Sequence, residues 1–423
     1  MVFARCIEHS VFTPTNQTIN MMKNHFQILV VGGGNGGISV AARLLNHDSK
    51  LDIGIIEPSD KHYYQPAWTL VGGGAYDIKK TVRDQADCIP EKAHWIKDRV
   101  VTFEPDQNAL TCADSGRITY DYLVVAPGIQ LDWGKIKGLT ENLGQFGVCS
   151  NYTFASAPYT WQTLRSIKRS VKAIFTAPNT PIKCGGAPQK IMYLAADYLK
   201  KQGLLSKSEV HFYSGGGVIF GVKKYADVLN QVVANYGIHT HFNHNLTEID
   251  GRNQMAFFET RDQDGEIRQV VQKFDMLHVT PPQSAPDFIK NSPLAVIGNP
   301  LGWVDLDKDT LQHNRYKNVF GLGDAGSTPN SKTGAAIRKQ APVLVKNLLA
   351  LMQGQALGQV YTGYGSCPLV TGYGKLVLAE FDYNNNPMET FPFNQAKERY
   401  SMWLLKTKVL PWLYWNKILK GTA

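Results

Sequence analysis

Two of the six cysteines stand where a thiol could take part in chemistry. Cys184 lies in PNTPIKCGGAPQK, residues 178–190, just ahead of a predicted helix and beside Lys183. A helix N-terminus and a neighbouring ammonium group both favour the thiolate, the nucleophilic form of cysteine, although a small cysteine that only packs is the commoner case. Cys367 lies in a stretch rich in glycine and proline before a predicted strand, which is typical of a loop held out from a rigid element. We therefore treat both as candidate redox thiols.

The other four cysteines lack such a setting, and the chain has no CxxC pair and no dense cysteine spacing. Neither a zinc knuckle nor a secreted disulfide framework is indicated, which favours a reducing compartment. Cys88 and Cys112 lie in polar stretches that predict surface positions, and Cys149 lies in a predicted interdomain segment. Cys6 lies in residues 1–24, which resemble at most a weak transit peptide and are explained equally well by a later start of translation. We interpret all four as structural or incidental.

Composition excludes several classes of protein. A length of 423 residues with 43% hydrophobic content is typical of a folded enzyme of more than one domain. The net charge of +9 is spread along the chain without basic tracts, so no nucleic-acid partner is expected. No apolar run in the sequence is long enough to cross a bilayer. His239, His241 and His244 have no carboxylate or cysteine nearby, so we predict a solvated strand end there and no metal site.

The segment FQILVVGGGNGGIS has the order of a dinucleotide-binding βαβ unit. A predicted buried strand, residues 28–31, leads into Gly32, Gly34 and Gly37 at GxGxxG spacing, and an amphipathic helix follows. The second strand ends on Glu57, twenty residues after Gly37. Glycines let the backbone approach a pyrophosphate, the helix N-terminus offers N–H groups, and the acid accepts hydrogen bonds from a ribose. The sequence therefore predicts a first nucleotide site here.

Two later stretches indicate which nucleotide is bound. DYLVVAPG, residues 121–128, and NVFGLGDAG, residues 318–326, each predict a buried strand ending in small residues, so the chain is expected to leave this domain and return to it. Asp324, at the end of the second strand, resembles the acid that binds the ribityl chain of FAD in a known family, although a helix cap is the simpler alternative. Because Glu57 occurs as well, we prefer the FAD interpretation.

A second unit of the glutathione-reductase-like type is predicted after the first, but its nucleotide chemistry is missing. Residues 171–178 predict a strand, and a helix beginning near Pro188 ends before Gly203. No GxGxxG lies between them, and the next strand ends on Ser214 where a ribose-binding acid is expected. NADH is therefore not expected to be the electron donor, and Cys184 occupies the place of the missing loop.

With these motifs the sequence resembles sulfide:quinone oxidoreductases, in particular the mitochondrial-type branch and its bacterial relatives. The resemblance covers residues 25–420 and includes VVGGGNGGIS, PNTPIKCGGAPQKIMYL, NVFGLGDAGSTPNSKTGAA, SCPLVTGYGK and AEFDYNNNPMETFPF. It implies that Cys184 and Cys367 form the redox-active pair. The FAD contacts that follow from the resemblance and from the first glycine loop are Gly32, Gly34, Asn35, Gly37, Glu57, Gln65, Val100, Asp324, Lys332, Thr333, Gly334 and Ala335.

The resemblance also implies a reaction. Hydrosulfide would attack the Cys367 side of a sulfur link between the two cysteines, leaving a persulfide there and releasing Cys184 as a thiolate. The thiolate would pass electrons to FAD, and ubiquinone or another membrane quinone would take them from the opposite flavin face. A small acceptor (glutathione, sulfite, cyanide or a second sulfide) would remove the sulfane sulfur. A homo-oligomer is left open.

The implied fold is α/β, with two Rossmann-like dinucleotide-binding domains and a C-terminal amphipathic region that anchors the protein to a membrane. The first domain is expected to be interrupted by the second. The expected segments are a leader at 1–24, the FAD-binding domain at 25–165 and 289–355, a second Rossmann-like domain with a degenerate NADH site at 166–288, and a quinone and membrane region at 356–423.

Residues 399–420 are predicted to bind a membrane surface. The last 25 residues hold Trp403, Trp412 and Trp415, five basic residues and no acid, which is typical of the lipid interface. Pro411 is expected to divide them into two short helices. The implied location is peripheral, on the bacterial cytoplasmic membrane or the mitochondrial inner membrane; the alternative is a helix packed on its own protein or on another subunit. Upstream aromatic residues line a quinone channel or belong to the core: Phe381, Tyr383, Phe391 and Phe393.

Three other functions share parts of this pattern. A type II NADH:quinone oxidoreductase has the same scaffold and anchor but needs the second nucleotide fingerprint. A flavocytochrome-type sulfide dehydrogenase needs a secretory signal, and none is visible in the sequence. A non-enzymatic FAD-binding interaction protein has no use for two placed thiols, so replacing Cys184 or Cys367 by serine would leave its function intact.

Overall fold

The computed structural model describes residues 23–261 and 264–423, so Cys6 and most of the expected leader lie outside the described residues. The strands are β1 (His25–Val31), β2 (Ile53–Ile56), β3 (Lys61–Tyr63), β4 (Val82–Asp84), β5 (His94–Ile96), β6 (Val100–Glu104), β7 (Ala109–Cys112), β8 (Gly116–Val125), β9 (Gln130–Leu131), β10 (Val148–Cys149), β11 (Lys172–Ala177), β12 (Glu209–Ser214), β13 (His239–Phe242), β14 (Asn245–Asp250), β15 (Met255–Arg261), β16 (Ile267–Lys273), β17 (Met276–His278), β18 (Gln283–Ser284), β19 (Val319–Gly321), β20 (Gly365–Gly372) and β21 (Lys375–Phe381). The α-helices are α1 (Asn35–His47), α2 (Trp68–Gly72), α3 (Gln85–Cys88), α4 (Leu139–Asn142), α5 (Ala157–Ser166), α6 (Ala187–Lys201), α7 (Lys223–Tyr236), α8 (Asp287–Lys290), α9 (Gly334–Met352), α10 (Tyr400–Leu404) and α11 (Leu410–Leu413).

The first sheet positions the glycine loop. Its seven strands follow the order β5-β2-β1-β8-β7-β6, with β19 beside β8. β1 and β2 are parallel and largely buried, as expected from their continuous apolar residues. Val31, Val125 and Gly321 are in register across three parallel strands, so the ends of these strands meet at one edge. Since β19 pairs with β8, the chain returns to the first sheet after it has formed the second.

The second sheet is parallel, with five strands in the order β10-β17-β11-β12-β13. Helix α6 packs against β11 and β12, and β14 of the antiparallel sheet β14-β15-β16 contacts the same two strands. The first sheet has a parallel core to which β7 and β6 add antiparallel strands, and the second sheet is parallel; together they confirm the predicted α/β fold with two Rossmann-like units. The second sheet also includes Val148–Cys149, which precedes the expected start of the second domain at residue 166.

A β-hairpin carries Cys367. The prediction that this cysteine lies in a projecting loop is wrong: it sits inside β20, pairs with Ala379 of β21 and is 1% exposed. Proline is tolerated in such a strand because each strand of a two-stranded hairpin keeps one unpaired edge. Helix α6 packs on β20, which brings the hairpin to the start of that helix.

The C-terminal segment is one continuous helical run, so the expected division at Pro411 is wrong. Between α10 and α11 the chain makes a π-helical turn, Leu405–Val409, in which Leu410 N–H donates to the carbonyl of Leu405, five residues back. This wider turn accommodates the proline ring and its missing N–H. A second π-helical turn, Tyr414–Ile418, follows α11. Within residues 23–261 and 264–423, no helix is both long and apolar enough to cross a membrane.

The same run packs on its own protein with one face and exposes the other. Tyr414, Trp415, Ile418 and Leu419 are buried in a cluster that includes Ile38 and Tyr64. The exposed apolar side chains of this run are Tyr400, Leu404, Val409 and Trp412, with Trp412 55% exposed. The alternative of a helix packed on its own protein holds for the inner face, and membrane contact by the exposed apolar face stays a prediction.

The histidine segment is more than a solvated strand end. His211 and His241 face each other across β12 and β13, with their Nδ1 and Nε2 atoms 3.0 Å apart, and the ring of His241 stacks on Tyr213 at 4.1 Å. His211 also hydrogen-bonds Glu209 at 3.1 Å. Burial and the neighbouring histidines lower the pKa of His241 to about 4, and burial lowers that of His211. Both rings are therefore neutral in the fold near neutral pH.

This arrangement predicts a loss of stability in acid. A histidine whose pKa is lowered by folding stabilises the protein above its unfolded pKa of 6.5, and the contribution disappears as the pH falls from 6.5 towards 4. The drop in melting temperature over this range should be smaller in His241→Gln than in the wild type, since glutamine keeps a hydrogen-bonding group that does not titrate. The exposed control His47→Gln should retain the full wild-type drop; equal drops in all three proteins would contradict the prediction.

Candidate active site

Cys184 and Cys367 meet although 183 residues separate them in the chain. Both are free thiols, and their Sγ atoms are 3.3 Å apart. Cys184 precedes α6 in a left-handed conformation, with φ of 56°, and its N–H donates to the carbonyl of Lys332 at 2.7 Å. At Gly186, a Cβ atom would lie only 2.6 Å from Cys367 Sγ, so glycine is needed for the hairpin to approach this closely. The pair is held between the start of α6, β20 and the start of α9.

Lys190, on the first turns of α6, supplies the positive charge of the site. Its Nζ atom donates to Cys184 Sγ at 3.0 Å, and the side chain is 4% exposed. The hydrogen bond from Cys367 and the charge of Lys190 lower the pKa of Cys184 well below its usual value. The hydrogen bond to Cys184 and burial raise the pKa of Cys367 well above the usual value. One thiolate and one thiol therefore share the site, with Cys184 as the thiolate.

Lys183, which the sequence suggested as the neighbouring charge, points elsewhere. Its Nζ atom donates to Gln65 Oε1 at 2.7 Å, and it lies over the rings of Trp68 and Tyr152. Burial lowers the pKa of Lys183 to about 8. The cation that contacts Cys184 is thus six residues later in the chain, on the helix itself.

A second lysine reaches the cysteine pair from the C-terminal helical run. Lys406, in the π-helical turn Leu405–Val409, is 5% exposed, and its Nζ atom donates to the carbonyl of Pro66 at 2.9 Å. Burial and the charge of Lys190 lower the pKa of Lys406 to about 7, while the two cysteines act in the opposite direction. A π-helical turn often marks a functional position in a helix, and here it places an ammonium group near two sulfur atoms.

The remaining described cysteines are buried, which corrects the surface positions predicted for Cys88 and Cys112. Burial raises the pKa of Cys88 to about 11, and of Cys112 and Cys149 to about 12. Thiols with such pKa values carry almost no thiolate at neutral pH and react slowly. Their apolar surroundings fit the structural role predicted for them.

The first glycine loop has the geometry of a nucleotide cradle. Gly32 has φ of 104°, and a Cβ atom at Gly37 would lie 1.9 Å from the carbonyl oxygen of Gly32, so neither position accepts a side chain. A Cβ atom at Gly34 would meet nothing within 4 Å, which leaves open space in front of the N-terminus of α1. Glu57 Oε2 accepts from Gly33 N–H at 2.8 Å, and burial raises the pKa of Glu57 against the effect of its backbone hydrogen bonds.

The predicted contacts from the later part of the chain face this loop. Gly334 begins α9 opposite Asn35, since a Cβ atom on Gly334 would be 3.6 Å from Asn35 Nδ2. Thr333 caps α9 by accepting from Ala336 N–H. The Oδ1 atom of Asp324 is buried without a hydrogen-bond partner, and burial raises its pKa. An unsatisfied carboxylate oxygen and an open helix N-terminus are what a flavin nucleotide would satisfy, so these residues fit such a group.

The other predicted contacts differ in position. Lys332 is buried, donates to the carbonyl of Gly326 at 2.8 Å, and lies over Trp303; burial lowers its pKa to about 8. Ala335 follows Gly334 in the first turn of α9. Gln65 Oε1 accepts a hydrogen bond from the Nζ atom of Lys183, the residue before Cys184. Val100 starts β6 and packs in the core beneath the first sheet.

Lys190 and Lys406 were not predicted from the sequence. Lys190 had a usable signal, because a lysine lies beside Ile191 and Leu194 on the start of an apolar helix just after Cys184. Lys406 had none: it is one of five basic residues in the C-terminal segment, and only the tertiary packing distinguishes it from the others.

Comparison with known proteins agrees with this geometry. Residues 26–158 match the model of the pyridine nucleotide-disulphide oxidoreductase family. The chain is 47% identical over 399 residues to the mitochondrial sulfide:quinone oxidoreductase of Mus musculus, covering 94% of this chain and 87% of that protein. It is 48% identical over 401 residues to the mitochondrial sulfide:quinone oxidoreductase of Dictyostelium discoideum, covering 95% and 87% of the two chains.

A solved structure has the same fold. The X-ray structure of the sulfide:quinone oxidoreductase from Aquifex aeolicus superposes with a TM-score of 0.79 at 21% identity, covering 94% of this chain and 92% of that one. The identity to the two mitochondrial proteins extends over nearly the whole chain. This chain therefore belongs to the sulfide:quinone oxidoreductase family.

Proposed function

We propose that this protein is a flavin-dependent enzyme that oxidises hydrogen sulfide to sulfane sulfur and passes two electrons to a membrane quinone. The observation that carries the proposal is the contact of 3.3 Å between Cys184 and Cys367 beside the buried Lys190. A thiol pair with one lowered and one raised pKa has the polarity that thiol-disulfide exchange needs, since one sulfur leaves easily as a thiolate. Family membership supplies the substrate class.

The two cysteines divide the chemistry between them. In the oxidised protein, hydrosulfide attacks Cys367 Sγ, the bond between the two cysteines breaks, and Cys184 leaves as a thiolate that Lys190 stabilises. Cys367 then holds a persulfide. A nucleophilic acceptor such as glutathione, sulfite, cyanide or a second sulfide takes the outer sulfur and leaves Cys367 as a thiolate. Re-forming the bond between the two sulfurs oxidises both cysteines and releases the electron pair that sulfide brought, which a bound flavin would accept.

We propose FAD as the flavin. Gly34 and Asn35 would bind its pyrophosphate at the N-terminus of α1, Glu57 its ribose, and Asp324 its ribityl chain, with Thr333 and its neighbours at the start of α9 facing the same space. When bound, FAD supplies a two-electron acceptor between the thiols and the quinone. A backbone hydrogen bond joins the cysteine pair to the segment before α9, because Cys184 N–H donates to the carbonyl of Lys332, two residues before the helix begins.

We propose that the enzyme acts at a membrane surface, on the mitochondrial inner membrane or the bacterial cytoplasmic membrane, with ubiquinone or a similar quinone as acceptor. Support comes from the exposed apolar side chains of the C-terminal helical run, including Leu404, Val409 and Trp412, and from exposed lysines such as Lys408. Upstream, Phe391 and Phe393 stack at 5.2 Å at the surface, next to Arg399. An apolar quinone would be attracted to such aromatic surfaces.

The NADH-dependent alternative is not favoured. β12 ends on Ser214, whose Oγ accepts from Gly216 N–H, where an NADH domain would present a carboxylate to the ribose. A Cβ atom at Gly215 would lie 2.6 Å from the backbone nitrogen of Asn179, so this backbone closes on the loop that leads to Cys184. The second Rossmann-like unit supports a thiol instead of a nucleotide.

Replacing either thiol tests the proposed function. We expect Cys184→Ser and Cys367→Ser to reduce sulfide-dependent quinone reduction to background, because exchange needs both sulfurs, while the flavin absorbance of the purified protein stays. Turnover is measured by quinone absorbance under anaerobic conditions. The matched control is Cys149→Ser. Cys149 is also buried, but burial raises the pKa of its thiol to about 12, so this variant should keep turnover. Sulfide-dependent turnover in both active-site variants would contradict the proposal.

Removing the charge of Lys190 should make the Cys184 thiolate harder to form. In the reduced Lys190→Met protein, we expect the midpoint for alkylation of Cys184 by iodoacetamide to move up by about one pH unit or more, since an opposite charge in contact shifts a pKa by that order. The profile is read by mass spectrometry of the labelled peptide. Lys200→Met, an exposed lysine on the same helix, should show the wild-type midpoint. An unchanged midpoint in Lys190→Met would rule out this role.

Membrane contact is tested on the outer face of the C-terminal run. Trp412→Ala should bind several-fold less to vesicles that contain anionic lipids, because it removes a large exposed interfacial side chain. Binding is measured by vesicle sedimentation. The control Val218→Ala truncates an apolar residue of the second Rossmann-like unit that is at least as exposed as Trp412, and it should leave binding unchanged. Equal binding of wild type and Trp412→Ala would argue against this face as the contact.

A further inference from the structure

The backbone N–H and carbonyl of Gly33, in the middle of the glycine loop, are hydrogen-bonded by three side chains. Its N–H donates to Glu57 Oε2 at 2.8 Å, and its carbonyl accepts from Gln85 Nε2 at 2.8 Å and from His62 Nδ1 at 3.1 Å. The carbonyl of Gly33 and the N–H of Gly34 belong to one rigid peptide plane. Fixing that carbonyl therefore fixes the direction of the Gly34 N–H, one of the donors at the proposed pyrophosphate site.

His62 is neutral, and its tautomer is determined by its partners. The ring is 3% exposed, and burial lowers its pKa to about 4. A carbonyl can only accept, so Nδ1 carries the proton that goes to Gly33. Nε2 is then an acceptor, and it lies 2.6 Å from the hydroxyl of Tyr414. Burial raises the pKa of Tyr414 well above its usual value, so this hydroxyl keeps its proton and donates it to His62.

Tyr414 belongs to the C-terminal helical run, whose opposite face is exposed. Its ring packs on Tyr64 at 4.8 Å, and the ring of Trp415 lies 5.7 Å from that of His62. Arg83 covers Trp415, with its guanidinium 4.3 Å from the ring centroid. These contacts hold the hydroxyl of Tyr414 in place beside His62.

The residues after Tyr414 fasten the same run to α1. Ser39 Oγ donates to the carbonyl of Ile418 at 3.3 Å, Asn46 Nδ2 donates to the carbonyl of Lys420 at 2.8 Å, and Arg43 donates to the carbonyl of Ala423. At Gly421 a Cβ atom would lie 2.7 Å from the backbone nitrogen of Arg43, so this residue packs directly on the helix backbone. The loop and the helix that follow β1 are thus both held by one distant segment.

We propose that residues 414–423 form a clasp on the flavin nucleotide: Tyr414 positions His62, His62 positions the Gly33 carbonyl, and the docked segment thereby sets how long FAD stays bound. Tyr414 and His62 are positioning residues, because they act on the cofactor through the backbone of the loop. This inference rests on the proposed FAD site. It gives the inner face of the C-terminal helical run a role that is separate from the proposed lipid contact.

The test is the rate at which the holoenzyme loses FAD, followed by the rise in flavin fluorescence after dilution. Tyr414→Phe leaves His62 Nε2 buried without a donor, so we expect release about tenfold faster than in the wild type. Tyr236→Phe is the matched control, because it removes a buried hydroxyl at the end of α7 that donates to the Thr371 carbonyl of β20. This control should lose thermal stability and still release FAD at the wild-type rate.

A double variant separates the chain of contacts from general destabilisation. His62→Leu should also release FAD faster, and adding Tyr414→Phe should accelerate it no further, because Tyr414 acts only through His62. A wild-type rate of FAD release in Tyr414→Phe, or additive effects on that rate in the double variant, would overturn the clasp. Either result would leave the proposed FAD site unaffected. A wild-type protein that purifies without FAD would refute the proposed cofactor and the clasp with it.

Discussion

Lys190 is buried with its Nζ atom 3.0 Å from Cys184 Sγ, and an ammonium group in such a place needs a negative charge within reach. The thiolate of Cys184 supplies that charge, so each of the two buried charges stabilises the other. This mutual requirement explains the surrounding architecture. The start of α6 must hold Lys190 close to Cys184. Strand β20 must pack Cys367 against Gly186, and the carbonyl of Lys332 must accept the N–H of Cys184. Each element comes from a different part of the chain.

Much of the nucleotide-binding unit could be predicted from the sequence, because its signals are local. The glycines, the helix of α1 and Glu57 occur within one βαβ unit, where spacing along the chain determines spacing in the fold. The meeting of Cys184 and Cys367 had no such local signal and was implied only by resemblance. The setting of Cys367 was misjudged for the same reason: glycine and proline suggest a loop, and only pairing with Ala379 makes it a strand. Tertiary contacts decided these positions.

The C-terminal run shows how one segment can serve several sites. Packing on its own protein and exposure to a membrane are alternatives at the level of sequence, yet helical geometry permits both when apolar residues occupy two faces. The π-helical turn at Leu405–Val409 accommodates Pro411 and turns Lys406 inward toward the cysteine pair. None of this follows from composition, because five similar basic residues lie in the segment and only packing assigns them different roles. The run is therefore part of the catalytic domain as much as it is a surface element.

The backbone of Cys184 is strained, and this strain limits which residues suit the position. With φ of 56° the residue lies in the left-handed region, which costs a side-chain-bearing residue about 1–2 kcal/mol that glycine avoids. Glycine would thus stabilise the fold here, and two glycines already follow in the same loop. Cysteine at this position therefore keeps its sulfur atom at the expense of backbone stability, in a loop where glycine would fold more easily.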